Sequence, residues 1–571
     1  VNDRPSILEL AAVVALCALA LVLRLRGIGY LLPIMPLSDS AHVVEQLDEL
    51  RHRHDAPTVQ TEKNFFYPLL LARATALLPD PGRTTPVPGR SLEDHLRLAS
   101  EPWRQIRVVS VLLSFLIVPA TWMLARRFLD GPWPFVAAAL VATSLLHTVF
   151  SSQEKPHGPL ASFIALSVVA ALRLRERGDV ASFLLFGLAA ALAIGTLHSG
   201  AAVLPLVPAV LLWREKPAQR ASTWWMVAAL ALVALAVWAF YPIHFGASGG
   251  ADEGPSPYSG DPSKGIVSVS GHLISLGKFR GGGFAVVLES MWTYDPVLTC
   301  ATLLGACVAV LDLARGALAG NGHRKKELAV VLAFALPYLV ATGMYDYNLE
   351  RFVLPLLPCF ACLAAYGVVR VATALARRVR AASLAPIAGF SLPAIALVPA
   401  WHLGTVRAAP STYALAAQCI EAHAHPETDR VVVVPYLDLP LFHGDDALRE
   451  NAKFPARSNW VHYQMQLEPS ERAGQRFEVL VSPGPIQETN RALETDAIGY
   501  FRALGARYVV IAIDPTGHAA LANAREAARA NGELVCRVAP GREDDPRVAA
   551  FLYRYTNQPW THPFVCFLMS A

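Results

Sequence analysis

The residues whose types and spacing suit chemistry fall in four short segments, each beside an apolar run. The first is Ser38-Asp39-Ser40-Ala41-His42 with Glu45, opening a helix-like stretch from Ser38 to His52. Ser38 is suited to cap that helix and Asp39 to sit near its positive end. Asp39 and His42 are three residues apart and share a helix face, on which a substrate hydroxyl can approach both. A capped surface helix is the plain alternative. The position just after the first apolar stretch, beside an apolar surface where a lipid-linked substrate can arrive, favours the chemical reading. The second segment is Thr61-Glu62-Lys63-Asn64 before Phe65-Phe66-Tyr67-Pro68. Lys63 there is either a snorkelling cation at an aromatic interface or a cation facing the phosphate of a membrane lipid.

The third is the turn Ser151-Ser152-Gln153-Glu154-Lys155-Pro156-His157 between two long apolar runs, richer in ionisable groups than a mere connector needs. Two readings stay open for it, a polar connector and the wall of a cavity. The fourth is Tyr345-Asp346-Tyr347-Asn348-Leu349-Glu350-Arg351, leading into Phe352-Val353-Leu354-Pro355-Leu356-Leu357-Pro358. Arg351 at the start of an apolar run, followed by two prolines that break the hydrogen-bond ladder, suits a shaped pocket at the interface. Its planar fork matches a phosphate or pyrophosphate; an interfacial anchor is the alternative. Weaker candidates are His198, His244, Asp252, Glu253, His272, Lys278, Arg280, Glu289, Tyr294 and Asp295. The Gly281-Gly282-Gly283 run lacks the strand, helix and lysine context of a nucleotide loop. No segment reads as a nucleotide-binding domain or a nucleic-acid surface.

The elements that must position these residues lie in an apolar solvent. Of 571 residues 54% are hydrophobic and only 16% charged, against roughly a quarter charged in soluble chains. Runs of roughly twenty residues nearly free of charge alternate with short basic turns up to about residue 408, after which the composition is ordinary. The net charge of +4 describes neither part. The expected spans are 7–26, 105–125, 132–150, 158–173, 180–197, 199–213, 223–243, 296–314, 328–344, 352–372 and 383–402, about eleven in all. The pair 180–213 is the least defined and allows one bent element around His198-Ser199-Gly200. Ile7 to Leu23 reads as a retained anchor, because no small-residue cleavage site follows it.

A cytoplasmic N-terminus puts Arg126/Arg127, Arg173/Arg175/Arg177, Arg214/Lys216/Arg220, Arg324/Lys325/Lys326 and Arg377/Arg378/Arg380 on one inner side. Arg24 and Arg26 oppose this assignment. It exports loops 27–104, 151–157, 244–295 and 345–351, with everything after 403. Phe65 to Leu78 is expected along the membrane surface, and the Gly-, Ser- and Pro-rich loop 244–295 with little fixed structure, free to order over a ligand. The region 409–571 reads as a small α/β domain. Its helices are expected at Ser411–Ala424, Glu494–Leu504 and Leu521–Ala530, its strands at Arg430–Pro435, Tyr508–Ile513, Leu534–Val538 and Ala550–Tyr555. Cys17, Cys300, Cys307, Cys359 and Cys362 read as small apolar side chains inside spans. Cys419, Cys536 and Cys566 allow one disulfide whose pairing the sequence leaves open.

Taken in order, these features resemble the GT-C membrane glycosyltransferases, in the branch of the protein O-mannosyltransferases and the lipid A aminoarabinose transferases. The resemblance is carried by the acid Asp39 after the first span, the lysine-aromatic-proline segment, and a span from near Arg107 to Ala125-Arg126-Arg127-Phe128. The turn Ser151 to His157 and Arg351-Phe352-Val353-Leu354-Pro355-Leu356-Leu357-Pro358, close to an Arg-Tyr-x-Leu-Pro-x-x-Pro pattern, complete it. The resemblance implies a mainly α polytopic bundle of the GT-C fold over residues 1–408 with an extracytoplasmic α/β domain over 409–571. It implies an inverting transfer of a sugar from a polyprenyl-phosphate donor to a hydroxyl acceptor on protein, lipid or cell-wall glycan; the alanine- and leucine-rich composition suggests a bacterial inner membrane. Asp39 resembles the general base, Lys63 the phosphate-contacting lysine and Arg351 the arginine beside the lipid phosphate. His42, Tyr67, Glu154, His157 and Tyr347 are the further expected substrate-binding residues.

Two departures stand out. The usual Asp-Glu pair is Asp39-Ser40 here, and the turn where relatives often place an aspartate carries His157 with Glu154 nearby. No cofactor is assigned; a divalent ion on Asp39, Glu154 and His157 is one arrangement these ligand types permit. The competing classes are a transporter or flippase, which favours ionisable groups near the bilayer midplane and internal repeats, and a catalytically silent scaffold of the same fold.

Overall fold

The structure is a computed structural model that describes residues 5–34, 41–52, 68–81, 89–213, 220–241, 265–269, 272–315, 322–381, 384–434, 438–453, 459–472, 474–482, 487–513, 519–538 and 564–570. Two compact units are formed. The first comprises Val1–Leu25, His42–Leu78 and Ile106–His402; the second comprises Arg26–Ala41, Pro79–Gln105 and Leu403–Ala571.

The first unit is helical because its charge-free runs can satisfy their backbone in an apolar solvent only internally. It opens with α1 (Ile7–Leu25), whose start is a capping box: Ser6 N donates to Glu9 Oε2 at 2.8 Å and Glu9 N to Ser6 Oγ at 3.2 Å. Two short helices follow, α2 (Ala41–His52) and α3 (Leu70–Ala76). Then come α4 (Leu92–Ser114), whose part up to Gln105 belongs to the second unit, and α5 (Ile117–Ala125), which together make one candidate membrane span. Next are α6 (Trp133–Ala142) and α7 (Leu145–Ser151), which meet at 48°. Beyond α8 (His157–Arg177) lie α9 (Val180–Thr196), a 3-10 turn (His198–Val203), α10 (Leu206–Leu212) and α11 (Arg220–Phe240). Strands β1 (Ile266–Val269) and β2 (His272–Ser275) form an antiparallel hairpin before α12 (Gly283–Tyr294). The unit continues with α13 (Pro296–Ala314), α14 (Gly322–Met344), a 3-10 segment (Glu350–Leu356), α15 (Leu357–Arg378) and α16 (Leu384–Ala408), which runs on into the second unit.

By length and apolarity seven of the described helices can cross a membrane, or eight when the bent pair α6–α7 counts as one span. Eleven spans were expected. Three of them, 180–197, 199–213 and 223–243, fall on shorter apolar helices, Val180–Thr196, His198–Leu212 and Trp224–Phe240. The pair 180–213 is broken at His198, where α9 gives way to the 3-10 turn. Basic turns expected on one side do meet. Arg127 Nη1 lies 2.7 Å from Glu176 and 3.5 Å from Glu327, and Arg175 Nη2 lies 3.9 Å from Glu327. The ends of α5 and α8 and the start of α14 therefore share one face of the bundle.

Two loop expectations need correction. Residues 92–104, expected in the first external loop, are helical and continuous with the following span. The expected loop 244–295 carries β1, β2 and α12, so its described part has regular structure of its own. Gly281 N donates to Met344 O at 2.9 Å, and Gly282 N to Asp346 Oδ1 at 2.9 Å. A Cβ on Gly283 would stand 2.1 Å from Thr342 O and 2.5 Å from Tyr345 O, so only glycine lets the start of α12 lie against the end of α14.

In the second unit Ser411 caps α17 (Thr412–His423), accepting from Ala414 N at 3.2 Å. The chain continues through β3 (Arg430–Val434), α18 (Asp445–Ala452), α19 (Asn459–Gln464), β4 (Glu478–Val481), α20 (Gln487–Ala503), β5 (Tyr508–Ala512), α21 (Ala519–Asn531), β6 (Gly532–Val538) and β7 (Phe564–Met569). The sheet order is β4-β3-β5-β7-β6, with β4, β3 and β5 parallel and β7 antiparallel to both its neighbours. Both faces are covered, which is why β3 is a run of valines rather than an alternation. Val431 and Val433 pack with Tyr413 and Ile420 of α17, whereas Val432 and Val434 pack with Phe501 of α20 and Ala524 of α21. Strands β4 and β7 were not anticipated; the expected strand Ala550–Tyr555 lies outside the described residues. Cys419 and Cys536 form a disulfide, tying α17 to β6. Cys359 and Cys362, three apart on α15, are free thiols, as are Cys17, Cys300, Cys307 and the buried Cys566.

Candidate active site

The densest buried polar group of the first unit surrounds the turn after α7. Glu154 in that turn has no exposed side-chain surface, and Arg107, in the second half of α4, donates through Nε to its Oε1. The other oxygen, Oε2, has no hydrogen-bond partner among the described residues. Ser110, one helical turn beyond Arg107, donates from Oγ to Ser151 O at 3.0 Å, fixing the start of the turn on α4. His157 begins α8, almost fully buried, with its ring edge-on to Phe352 at 5.4 Å. The Arg351 guanidinium lies 5.8 Å from the same ring. Tyr338 Oη of α14 donates to Phe352 O at 2.9 Å and holds that residue in place. Thus two segments almost two hundred residues apart, the Glu154–His157 turn and the Arg351 segment, meet at one phenylalanine.

Tyr347 is exposed. Lys278 Nζ stands 4.9 Å over its ring, and Tyr345 meets it edge-on at 6.0 Å. The weak candidate Lys278 thus reaches the fourth polar segment through the backbone pairing of Phe279 with Tyr345. His42 lies in the first turn of α2. Asp39, Lys63 and Tyr67 lie outside the described residues. Among the described residues, the metal-type group with donors near enough to share an ion is Cys419, Cys536 and Cys566, and two of these are joined as the disulfide.

A second buried cluster was missed. Arg24, taken in the sequence as a charge at the outer end of the first span, is fully buried within the bundle. It therefore carries no information about which side of the membrane is basic. Its Nη1 donates to Ala142 O at 3.0 Å and Nη2 to Val141 O at 3.2 Å; Nε and Nη2 both reach His147 Nδ1, at 3.1 and 2.8 Å. Asp295, one of the weak candidates, accepts from Leu145 N at 2.8 Å, from Leu146 N at 3.3 Å and from Ser144 Oγ at 2.6 Å. The signal available in the sequence was an arginine inside an apolar run, which rarely persists there without a partner. Its partners, two carbonyls and a histidine more than a hundred residues away, were not readable.

Residues 86–241 match the family model described as dolichyl-phosphate-mannose-protein mannosyltransferase. That stretch holds Arg107, Glu154 and His157. Over that stretch the chain is similar to this family, in line with the resemblance the sequence carries. No curated protein matches the chain. Among solved structures, similarity is found to the apo oligosaccharyltransferase of Archaeoglobus fulgidus, at 11% identity and TM-score 0.42, covering 94% of this chain and 74% of that one. ArnT from Cupriavidus metallidurans bound to undecaprenyl phosphate is 14% identical, with TM-score 0.41 and coverage of 98% and 97%. The protein O-mannosyltransferase Pmt1-Pmt2 complex of S. cerevisiae bound to the sugar donor is 17% identical, with TM-score 0.32 and coverage of 43% and 34%.

Proposed function

We propose that this chain is an inverting glycosyltransferase that moves a sugar from a polyprenyl phosphate to a hydroxyl acceptor on the outer face of the membrane. The observation that carries the reading is the meeting of the Glu154–His157 turn with the Arg351 segment at Phe352. It joins a buried carboxylate, within the stretch that matches the family, to a cation suited to a phosphate.

In this reading the Asp39 carboxylate takes the proton of the acceptor hydroxyl as its oxygen bonds to the anomeric carbon. The bond from that carbon to the phosphate oxygen breaks on the opposite side, giving inversion. Lys63 and Arg351 stabilise the polyprenyl phosphate that leaves, so no strong general acid is needed. Glu154, through Oε2, and His157, His42, Tyr67 and Tyr347 bind the sugar or the acceptor. A divalent ion, where bound, would be held by Asp39, Glu154 and His157 and would add positive charge beside the phosphate.

The outward location has its own support. A disulfide between Cys419 and Cys536 persists in an oxidising compartment. A Cβ on Gly27, just after α1, would stand 2.5 Å from the carbonyl carbon of Arg407 in the last turn of α16. The C-terminal ends of the first and last long apolar helices are therefore neighbours, which requires an odd number of spans when both helices are counted. A transporter would show buried ionisable groups, and Arg24, His147 and Asp295 are such groups. The hydrogen bonds of Arg24 and Asp295, however, are spent on the helix ends at the α6–α7 break and on His147 rather than left open to a passage.

The test is transfer of labelled sugar from a panel of polyprenyl-phosphate sugars by the purified protein, with Asp39→Asn as the comparison. Turnover from one donor that the variant loses while still binding that donor supports the assignment. Slow donor hydrolysis that is equal in both proteins sinks it.

A further inference from the structure

The break between α6 and α7 lies in the middle of an apolar pair of helices, at Thr143-Ser144. A break of this kind leaves the last carbonyls of one helix and the first amides of the next without intrahelical partners. In an apolar solvent such groups need protein partners. Here the two helix ends are met by opposite charges. Arg24 of α1 donates to the carbonyls of Val141 and Ala142 at the C-terminal end of α6. Asp295, at the junction of α12 and α13, accepts from the amides of Leu145 and Leu146 and from Ser144 Oγ at the N-terminal end of α7. Each charge also has the sign that the helix end before it favours.

We infer that Arg24 and Asp295 are positioning residues that clamp this break and so fix the direction in which α7 delivers the Glu154–His157 turn. The helix α7 has only seven residues, Leu145–Ser151, and ends directly at that turn. A pivot at Ser144 therefore moves Glu154 relative to Arg107, which sits on a different helix. Arg24 also fixes His147 within α7. Two guanidinium N–H groups point at Nδ1, so Nδ1 is the acceptor and the ring proton resides on Nε2. The clamp thus reaches the short helix at its start through Asp295 and at its third residue through Arg24.

The proposal rests on the turn being part of the transferase site, and its test separates the two ideas. The full-length protein in lipid nanodiscs is followed by hydrogen exchange over residues 144–157, and in parallel by sugar-transfer kinetics. The variants are Asp295→Ala and Arg24→Met, with Asp295→Asn and Arg24→Lys as conservative partners that keep an acceptor oxygen and a cation. Losing hydrogen bonds to a charged group is expected to speed exchange at 144–157 about tenfold or more in Asp295→Ala. In that variant kcat falls about tenfold or more while the donor KM holds within about threefold. Asp295→Asn, which keeps its fold if the alanine variant does not, recovers most of both losses.

Unchanged exchange at 144–157 in Asp295→Ala and Arg24→Met overturns the clamp. Faster exchange with an unchanged kcat overturns its role in positioning the site. If the wild-type protein transfers no sugar from any donor, the glycosyltransferase reading fails, and the exchange arm still decides the clamp.

Discussion

Arg107 Nε donates to Glu154 Oε1, and neither side chain has any exposed surface. The pair joins the second half of α4 to the turn after α7, inside a bundle whose other buried side chains are mostly apolar. Burying two charges is costly even when they meet. A pair kept in such a place is therefore better explained by the geometry it fixes than by net stability.

Removing one partner is the harsher change. Arg107→Ala leaves an uncompensated buried carboxylate and is expected to cost about 3–5 kcal/mol, read as a lower thermal midpoint in nanodiscs. Glu154→Gln keeps an acceptor for Arg107 and its shape. Its expected effect is a milder loss of stability with a drop in sugar transfer on the order of 100-fold. Full turnover in Glu154→Gln would remove the turn from the chemistry.

The disulfide gives a prediction confined to the second unit. It joins residues 117 apart, and a native bridge over a long loop typically contributes about 2–4 kcal/mol. Cys419→Ser should lower the unfolding midpoint of this unit, and reductant should lower the wild-type midpoint to the same value without further effect on the variant. Cys566 is expected to stay unreactive towards maleimide until the unit unfolds, because burial raises its thiol to about 12.

Acid should weaken the second unit through Asp445. Arg472 donates to Asp445 Oδ1 at 2.5 Å, and this bond, with the nearby arginines, holds the carboxyl below its usual range. The folded pKa lies under the unfolded one, about 3.9. The contribution is therefore fully present above that pH and disappears as pH falls through the folded value. Asp445 is 56% exposed, so the effect should stay under about 1 kcal/mol. Acid unfolding curves of wild type and Asp445→Asn should differ near pH 6 and converge at the acid end.

Membrane character, the sites of most apolar helices, though not of α12, and most elements of the α/β unit were legible in the sequence. Charge-free length and buried runs such as Val431–Val434 are local properties, because the backbone in an apolar setting has few ways to satisfy itself. The polar turn at Glu154 and the Arg351 segment were legible too, since ionisable groups beside apolar runs need a reason to be there. Strands β4 and β7 were not: Glu478–Val481 is too short to show a period, and β7 is defined by its pairing with β5 and β6.

What the sequence alone determined is the inventory: which segments are apolar enough to enter a bilayer, and which short polar segments interrupt them. What only the tertiary structure decided is which of those interruptions meet. Phe352 joins His157 to Arg351, Glu154 finds Arg107, and Arg24 finds the broken end of α6. The reason is physical. A charge buried in an apolar bundle persists only with a partner, and that partner is chosen by how helices pack across the chain, a long-range relation that no local pattern of residues records.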